Sequence, residues 1–371
     1  MDSMAEHETA AADNLGAVTD AVILVGGRGT RLRPLTIGTP KPMLPTANYP
    51  FLQHLLARIQ AAGITHVIMS TSYKAEVFEE YFGDGSELGL EIEYVVEEEA
   101  LGTGGGIRNV YDHLWHDTAM VFNGDVLSGM DLNSILETHH SKGADLTMHL
   151  LKVADPRAFG CVPTDADGQV TAFLEKTEDP PTNQINAGCY VFDKELIATI
   201  PAGRVVSVER ETFPQVLEAG RKVIGHVDNS YWRDMGRPDD FVRGSSDLVR
   251  GIAPSPLLAG RTGEAIVDDS AGVAGGALLL SGTSVGRGSE VGAGSRLDGT
   301  VVFDGVTIEP GAVITNSIIA SGAHIGANTH IDGCVIGEGA QIGARCELEG
   351  GMRIFPGVVI PDRGVRFSSD A

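Results

Sequence analysis

The sequence predicts a two-part chain, an α/β domain with a layered, largely parallel sheet followed by a parallel β-helix. Two patterns predict it. From about Asp20 to Gly251, short apolar runs alternate with amphipathic segments, the arrangement of successive βαβ units. Beyond that, aliphatic residues recur every 17 positions, and a fixed period of this length marks a coil that stacks on itself.

The first part reads as follows. AVILVGG (21–27), THVIMSTS (65–72), LEIEYVV (90–96) and TAMVFNGD (118–125) are short, rich in β-branched residues and bounded by turn formers, so each is a strand. FLQHLLARIQAAG (51–63) carries apolar residues at helical spacing and is closed by Gly63. GIAPSPLLAGRTGEA (251–265) is rich in Gly, Pro and Ala and reads as a linker. The expected boundaries are an acidic, disordered tail over 1–19, a first domain over 20–250, a linker over 251–263 and the β-helix over 264–371.

In the second part three series interleave. Val285, Val302, Ile319 and Ile336 form one, Val291, Ile308, Ile325 and Ile342 the next, and Leu297, Ile314, Ile331 and Leu348 the third. Offsets of 6, 6 and 5 residues between the series give a coil with three sides. A β-sandwich would require alternation with period 2 instead. The pattern resembles the hexapeptide-repeat left-handed β-helix, whose stacked coils suit self-association, so a homo-oligomer is expected.

Composition narrows the function. At 371 residues with 42% hydrophobic content the chain can bury a sizeable core. A formal charge of −23 repels nucleic acid and acidic membrane surfaces. Any phosphate bound here is therefore small and neutralised locally. No apolar stretch approaches the ~20 residues that span a bilayer, and the first 20 residues have neither a basic region nor an apolar signal core. A cytoplasmic location is expected. Cys161, Cys189, Cys334 and Cys346 are widely spaced without a CxxC pair, which argues for reduced, mostly buried thiols rather than zinc or disulfides.

The chemistry is concentrated in VILVGGRGTRLRPLT (22–36). It lacks the GK[ST] ending of a P-loop, and Leu32 stands where a dinucleotide fingerprint needs its third glycine. What remains is a strand that opens into Gly26, Gly27 and Gly29, whose backbone amides can approach a ligand, followed by Thr30, Arg31 and Arg33. In TPKPMLP (39–45), prolines flank Lys41 and restrict its backbone beside the same loop.

These two segments resemble the signature of the nucleoside-diphosphate-sugar pyrophosphorylases, the sugar-1-phosphate nucleotidyltransferases. The resemblance continues through LGTGGGI (101–107), VFNGDVL (121–127), FGCV (159–162), FLEKTEDPP (173–181), INAGCYVF (185–192) and YWRDMGRPDDF (231–241). It covers residues 20–250 and implies a Rossmann-like nucleotidyltransferase domain. INAGCY, VSVERETFP (206–214) and WRDMGRPDDF are most similar to the branch that joins GTP and mannose 1-phosphate. In this family a sugar-1-phosphate oxygen attacks the α-phosphorus of a nucleoside triphosphate and pyrophosphate leaves, so catalysis is alignment and neutralisation of anions.

The resemblance implies roles for individual residues. Arg31 holds the triphosphate and the departing pyrophosphate, with Lys41 beside it. Asp125 and Asp234 hold Mg²⁺ on the phosphates, although Asp in NGD and RDMG contexts also serves as a turn former. Lys176 binds the sugar phosphate and Glu175 the sugar hydroxyls; the family's EKP is EKT here, and an exposed ion pair is the alternative. Gly160 and Asn186 match sugar-phosphate positions. Leu24, Val25, Gly26, Gly27, Gly29, Thr30, Gly102 and Asn123 match nucleotide positions. Guanine offers donors, so Glu97 or Glu98 suits it as an acceptor, against a solvated strand end as the alternative.

The histidines read blandly. His139 and His140 are expected on a helix surface, and His324 and His330 on the β-helix do not by themselves make an acyltransferase. Two rivals to the guanylyl reading are a glucose-1-phosphate nucleotidyltransferase using UTP, dTTP or ATP, and a non-catalytic subunit that binds nucleotide-sugar for regulation. Retention of Arg31, Lys41, Asp125, Lys176 and Asp234 favours an enzyme.

Overall fold

The computed structural model describes residues 15–72 and 74–366. Of the segment expected to be a disordered tail, residues 1–14 lie outside the described residues. Leu15–Val18 form a turn of 3-10 helix and Thr19 opens the first strand. The chain divides into two compact units. One contains the chain up to Gly27, Leu55–Val126 and Met130–Trp232; the other contains Arg28–His54, Leu127–Gly129 and the chain from Arg233 on.

The first unit is built on a nine-stranded sheet. Its strands are β1 (Thr19–Leu24), β2 (His66–Thr71), β3 (Glu91–Val96), β4 (Thr118–Asn123), β5 (Leu146–Lys152), β6 (Gly160–Cys161), β7 (Leu174–Glu175), β8 (Gln184–Asp193) and β9 (Val223–Asp228). The order runs β7-β6-β8-β4-β1-β2-β3, with β5 pairing β8 and β9. β4, β1, β2 and β3 are parallel, while β8 runs antiparallel to β4 and β5. β2 is buried along its whole length, and β1 and β4 are buried up to their last residue. That burial is why these strands read as unbroken apolar runs rather than as alternation. Helices Gly102–Asn109 and Phe213–Glu218 contribute Ile107, Phe213 and Val216 to the core with Val22, Val121, Tyr190 and Phe192.

In the second unit the C-terminal residues form three parallel sheets of six, six and five short strands, the faces of the left-handed β-helix expected from the repeat. The registers match the sequence series: Val285 lies beside Val302, Val291 beside Ile308, and Leu297 beside Ile314. All twelve aliphatic positions are at most 2% exposed. At about 25 cal/mol per Å² of apolar surface removed from water, this filling is the main stabilisation of each coil.

A polar ladder runs beside that core. The hydroxyls of Thr283, Ser289, Ser295, Thr300 and Thr329 each donate to a carbonyl 14 residues ahead. Those of Thr283, Ser289, Ser317 and Thr329 also accept an N–H 17 residues ahead, the last two from Cys334 and Cys346. These side-chain bonds link successive coils in addition to the pairing of their strands. All four cysteines are buried free thiols, and two of them occupy rungs of the ladder.

The same unit holds the hairpin of Pro45–Thr46 with Tyr49–Pro50 and the helix Pro238–Val249. Ala47 N–H donates to Ser245 Oγ, and Asn48 Nδ2 donates to the Val285 carbonyl at 2.8 Å. The chain from Arg28 to His54 is thereby fastened to the first coils of the β-helix.

Candidate active site

Hydrogen bonds within each unit hold its part of the glycine-rich segment. In the first unit, Val25 N–H donates to the Ser70 carbonyl at 3.0 Å and Ser72 Oγ donates to the Gly26 carbonyl at 3.0 Å. In the second unit, the Gly29 carbonyl accepts from Thr36 Oγ1 at 2.8 Å and from Leu32 N–H at 3.0 Å. Gly29 has φ +56, and a Cβ there would lie 3.0 Å from the Cβ of Lys41. Only glycine takes this backbone shape without cost while a second chain segment lies so near. The prolines around Lys41 do place it against the loop, where Lys41–Met43 form one turn of 3-10 helix.

Two cations then meet one carboxylate. Arg31 Nη2 and Lys41 Nζ each lie 3.8 Å from an oxygen of Asp234. Their environments differ: the Lys41 side chain is 7% exposed, Arg31 60% and Asp234 35%. Asp234 ends the strand Trp232–Asp234, which pairs with Val126–Ser128. Two residues on, a Cβ at Gly236 would lie 2.5 Å from Arg31 Nη2 and 2.8 Å from its Cζ. The guanidinium therefore rests on bare backbone. In YWRDMGRPDDF nothing marks Gly236 for this contact, because a glycine reveals what touches it only in three dimensions.

In the first unit the remaining residues fall along one edge of the sheet. Glu175 pairs with Gly160, Cys161 pairs with Ile185, Cys189 pairs with Phe122, and Leu24 pairs with Asn123. Glu175, Gly160, Asn186, Asn123 and Leu24 therefore follow one another across β7, β6, β8, β4 and β1. This edge includes the carboxyl ends of the parallel strands, where open α/β sheets bind ligands. The register of β8 against β5 shifts between Asn186 and Tyr190. Asn186 Nδ2 donates to Tyr190 Oη at 2.7 Å, and its Oδ1 accepts Gly188 N–H at 3.1 Å. Such an irregularity re-aims side chains at a sheet edge. Beside it, Asn123 Oδ1 is buried without a hydrogen-bond partner, an acceptor of the kind that a ligand donor would satisfy. Asp125 follows β4 by two residues and is half-buried.

Several expectations need correction or refinement. Glu97 is not a solvated strand end. It is buried, with Oε1 accepting from Ser70 Oγ at 2.9 Å and Oε2 accepting from Leu101 N–H at 2.8 Å. Glu98 is exposed. The space that a Gly102 side chain would fill is taken by the Val206 carbonyl, 2.6 Å from its Cβ position. His139 is not on a helix surface: it is buried, with Nδ1 at 3.0 Å from Thr147 Oγ1 and Nε2 at 3.1 Å from Asp193. Lys176 has φ +49, its N–H donates to the Phe159 carbonyl, and its exposed ammonium lies 3.6 Å from Glu175. The EK pair thus ends in a left-handed turn at Lys176.

Within the second unit the structure brings together Gly29, Thr30, Arg31, Lys41 and Asp234. Within the first it brings Leu24 and Glu97 to the same helix, since both lie within 3.5 Å of the Cβ position of Gly106. Among the described residues no group of three or more His, Cys, Asp or Glu is arranged around a metal. No helix among the described residues is long and apolar enough to cross a membrane.

The sequence matches the nucleotidyl transferase family over residues 20–251 and the GMPPB C-terminal domain over residues 261–366. It is 66% identical to a mannose-1-phosphate guanylyltransferase of Mycobacterium tuberculosis, across 95% of this chain and 98% of that one. It is 36% identical to a mannose-1-phosphate guanylyltransferase catalytic subunit beta of Danio rerio, across 68% of this chain and 72% of that one. Among solved structures, HddC of Yersinia pseudotuberculosis complexed with GMP-PN is similar at a TM-score of 0.55 and 29% identity, covering 62% of this chain and 99% of that one.

Proposed function

The chain belongs to the nucleotidyl transferase family, and from that membership we propose that it transfers the guanylyl group of GTP to mannose 1-phosphate, giving GDP-mannose and pyrophosphate. Identity of 66% over nearly the whole length to a guanylyltransferase supports this choice of substrates. The observation that carries the chemistry is the meeting of Arg31 and Lys41 at Asp234.

A phosphate oxygen of mannose 1-phosphate attacks the α-phosphorus of GTP, and the bond to the bridging oxygen of the β-phosphate breaks. Charge builds on the leaving pyrophosphate, so two fixed cations beside the loop stabilise the transition state more than the ground state. At 3.8 Å, the Arg31 and Lys41 nitrogens stand beyond hydrogen-bonding distance of those Asp234 oxygens. Arg31, on the exposed side, offers a planar fork to phosphate oxygens, and Lys41 offers a compact charge from a buried position.

Asp125 and Asp234 are the carboxylates we assign to Mg²⁺. Their hard oxygen donors fit that ion, and Asp234 is exposed enough for a cation to reach. When bound, the ion would supply neutralising charge across the phosphates. Leu24, Val25, Gly26, Gly27, Gly29, Thr30, Glu97, Gly102 and Asn123 are assigned to the nucleotide. Gly160, Glu175, Lys176 and Asn186 are assigned to the sugar phosphate. Homo-oligomeric assembly and a cytoplasmic location complete the proposal. Exposure of Phe355 and Val359 on the last coil supports association through the β-helix.

The test is GDP-mannose formation from GTP, mannose 1-phosphate and Mg²⁺, followed by chromatography. Arg31→Ala and Lys41→Ala should each lower turnover by about 100-fold or more, the usual cost of removing one transition-state donor. Turnover near wild type in both variants would remove these residues from the reaction.

A further inference from the structure

Arg353 lies on the strand Arg353–Ile354 of the β-helix, more than 300 positions from the phosphate loop in sequence. Its Nη1 donates to two carbonyls of that loop, those of Arg31 and Arg33, at 2.8 Å each. The residue between them, Leu32, is fully buried. A second contact lies one coil earlier, where Glu338 Oε2 is 3.7 Å from the Cβ position of Gly38. Two successive coils of the β-helix thus run alongside residues 31–38.

Hydrogen bonds from a charged donor are stronger than neutral ones, and two from one nitrogen fix the orientation of two peptide planes. The Arg31 carbonyl is attached to the Cα that carries the guanidinium facing Asp234. The side-chain end of this residue is therefore aimed by Gly236 and Asp234, while its backbone end is clamped by the β-helix.

We propose that Arg353 is a positioning residue of the transfer reaction, through which the β-helix holds the phosphate loop in its working shape. Arg353 acts through Arg31 and touches neither substrate. The inference rests on the reading that Arg31 handles the triphosphate.

The test uses the full chain with Arg353→Ala, Arg353→Met and Arg353→Lys, each alone and with Arg31→Ala. A loosened loop misplaces the guanidinium by about 1 Å, a displacement that can cost about 100-fold in rate. Arg353→Ala and Arg353→Met should therefore lower kcat at least ~10-fold, with KM for mannose 1-phosphate changed by less than about 2-fold. Arg353→Lys keeps charged N–H donors and should recover most of kcat. In the Arg31→Ala background, removing Arg353 should cause no further loss, because residues acting as a unit are not additive.

Wild-type kcat in Arg353→Met, or an equal loss with and without Arg31, overturns the proposal. If Arg353→Ala fails to fold, the comparison of Met with Lys at this position decides. A slow Arg31→Ala with a normal Arg353→Met sinks the positioning role alone. A normal Arg31→Ala sinks the reading beneath it as well.

Discussion

Gly236→Ala is a one-methyl change with an asymmetric expected effect. The new Cβ would stand 2.5 Å from Arg31 Nη2 and 2.8 Å from Cζ. Ordinary carbon contacts are about 3.5–4.0 Å, so the guanidinium must retreat by about 1 Å. The obstacle is the far end of a flexible side chain, 60% exposed, and Gly236 is not among the residues with positive φ. The fold should therefore absorb the change easily; Gly→Ala at a compatible site even stabilises by about 0.4–1 kcal/mol through the unfolded chain. The reaction should not absorb it, because a 1 Å displacement of a transition-state contact can cost about 100-fold, or about 2.7 kcal/mol of barrier. Steady-state kinetics and a thermal melt on the same preparation test this. The expected result is kcat reduced 10- to 100-fold with an unchanged or slightly raised melting midpoint. Unchanged kcat would show that the position of Arg31 against residue 236 is irrelevant to the chemistry.

Three further outcomes are expected. Asp125→Asn should lose Mg²⁺-dependent turnover by about 100-fold while GTP binding weakens far less, as read by kinetics and equilibrium binding. Burial pushes the His54 imidazole down to about 4 from its ordinary 6.5, outweighing its bond to the Thr46 carbonyl. The unfolded chain therefore takes up this proton first, so the contribution is full above pH 6.5 and is lost as pH falls towards 4. It amounts to about 3 kcal/mol. Denaturant unfolding at pH 7 and pH 4 should show that much less acid sensitivity in His54→Gln. Ile331→Ala, at a fully buried position in the strand His330–Asp332, should cost about 2–5 kcal/mol, and an unchanged melting midpoint would mean that the coil interior is not filled as described.

Much of the fold was legible because its forces are local or periodic. The twelve aliphatic positions appear in the sequence as a 17-residue period, and the structure stacks them in register. β1, β2 and β4 appear as apolar runs because both of their faces are covered. Lys41 was placed correctly against the loop because proline restricts backbone directly.

What escaped depends on distant packing. His139 sits on a helix whose pattern gave no sign that Thr147 and Asp193 would receive its ring. Glu97 stands in a run of three glutamates, and only the strand-to-helix turn singles it out for Ser70 and Leu101. Gly236 and Arg353 act on Arg31 from remote positions in the chain. Neither residue type announces such a contact.

The central claim, guanylyl transfer to mannose 1-phosphate, is tested most directly by pyrophosphate release with Mg²⁺, crossing GTP, ATP, UTP and dTTP against mannose 1-phosphate and glucose 1-phosphate. The account predicts that GTP with mannose 1-phosphate exceeds every other pair in kcat/KM by at least about 10-fold, equivalent to about 1.4 kcal/mol of discrimination. Preference for a different pair, or no release with any pair, would contradict it.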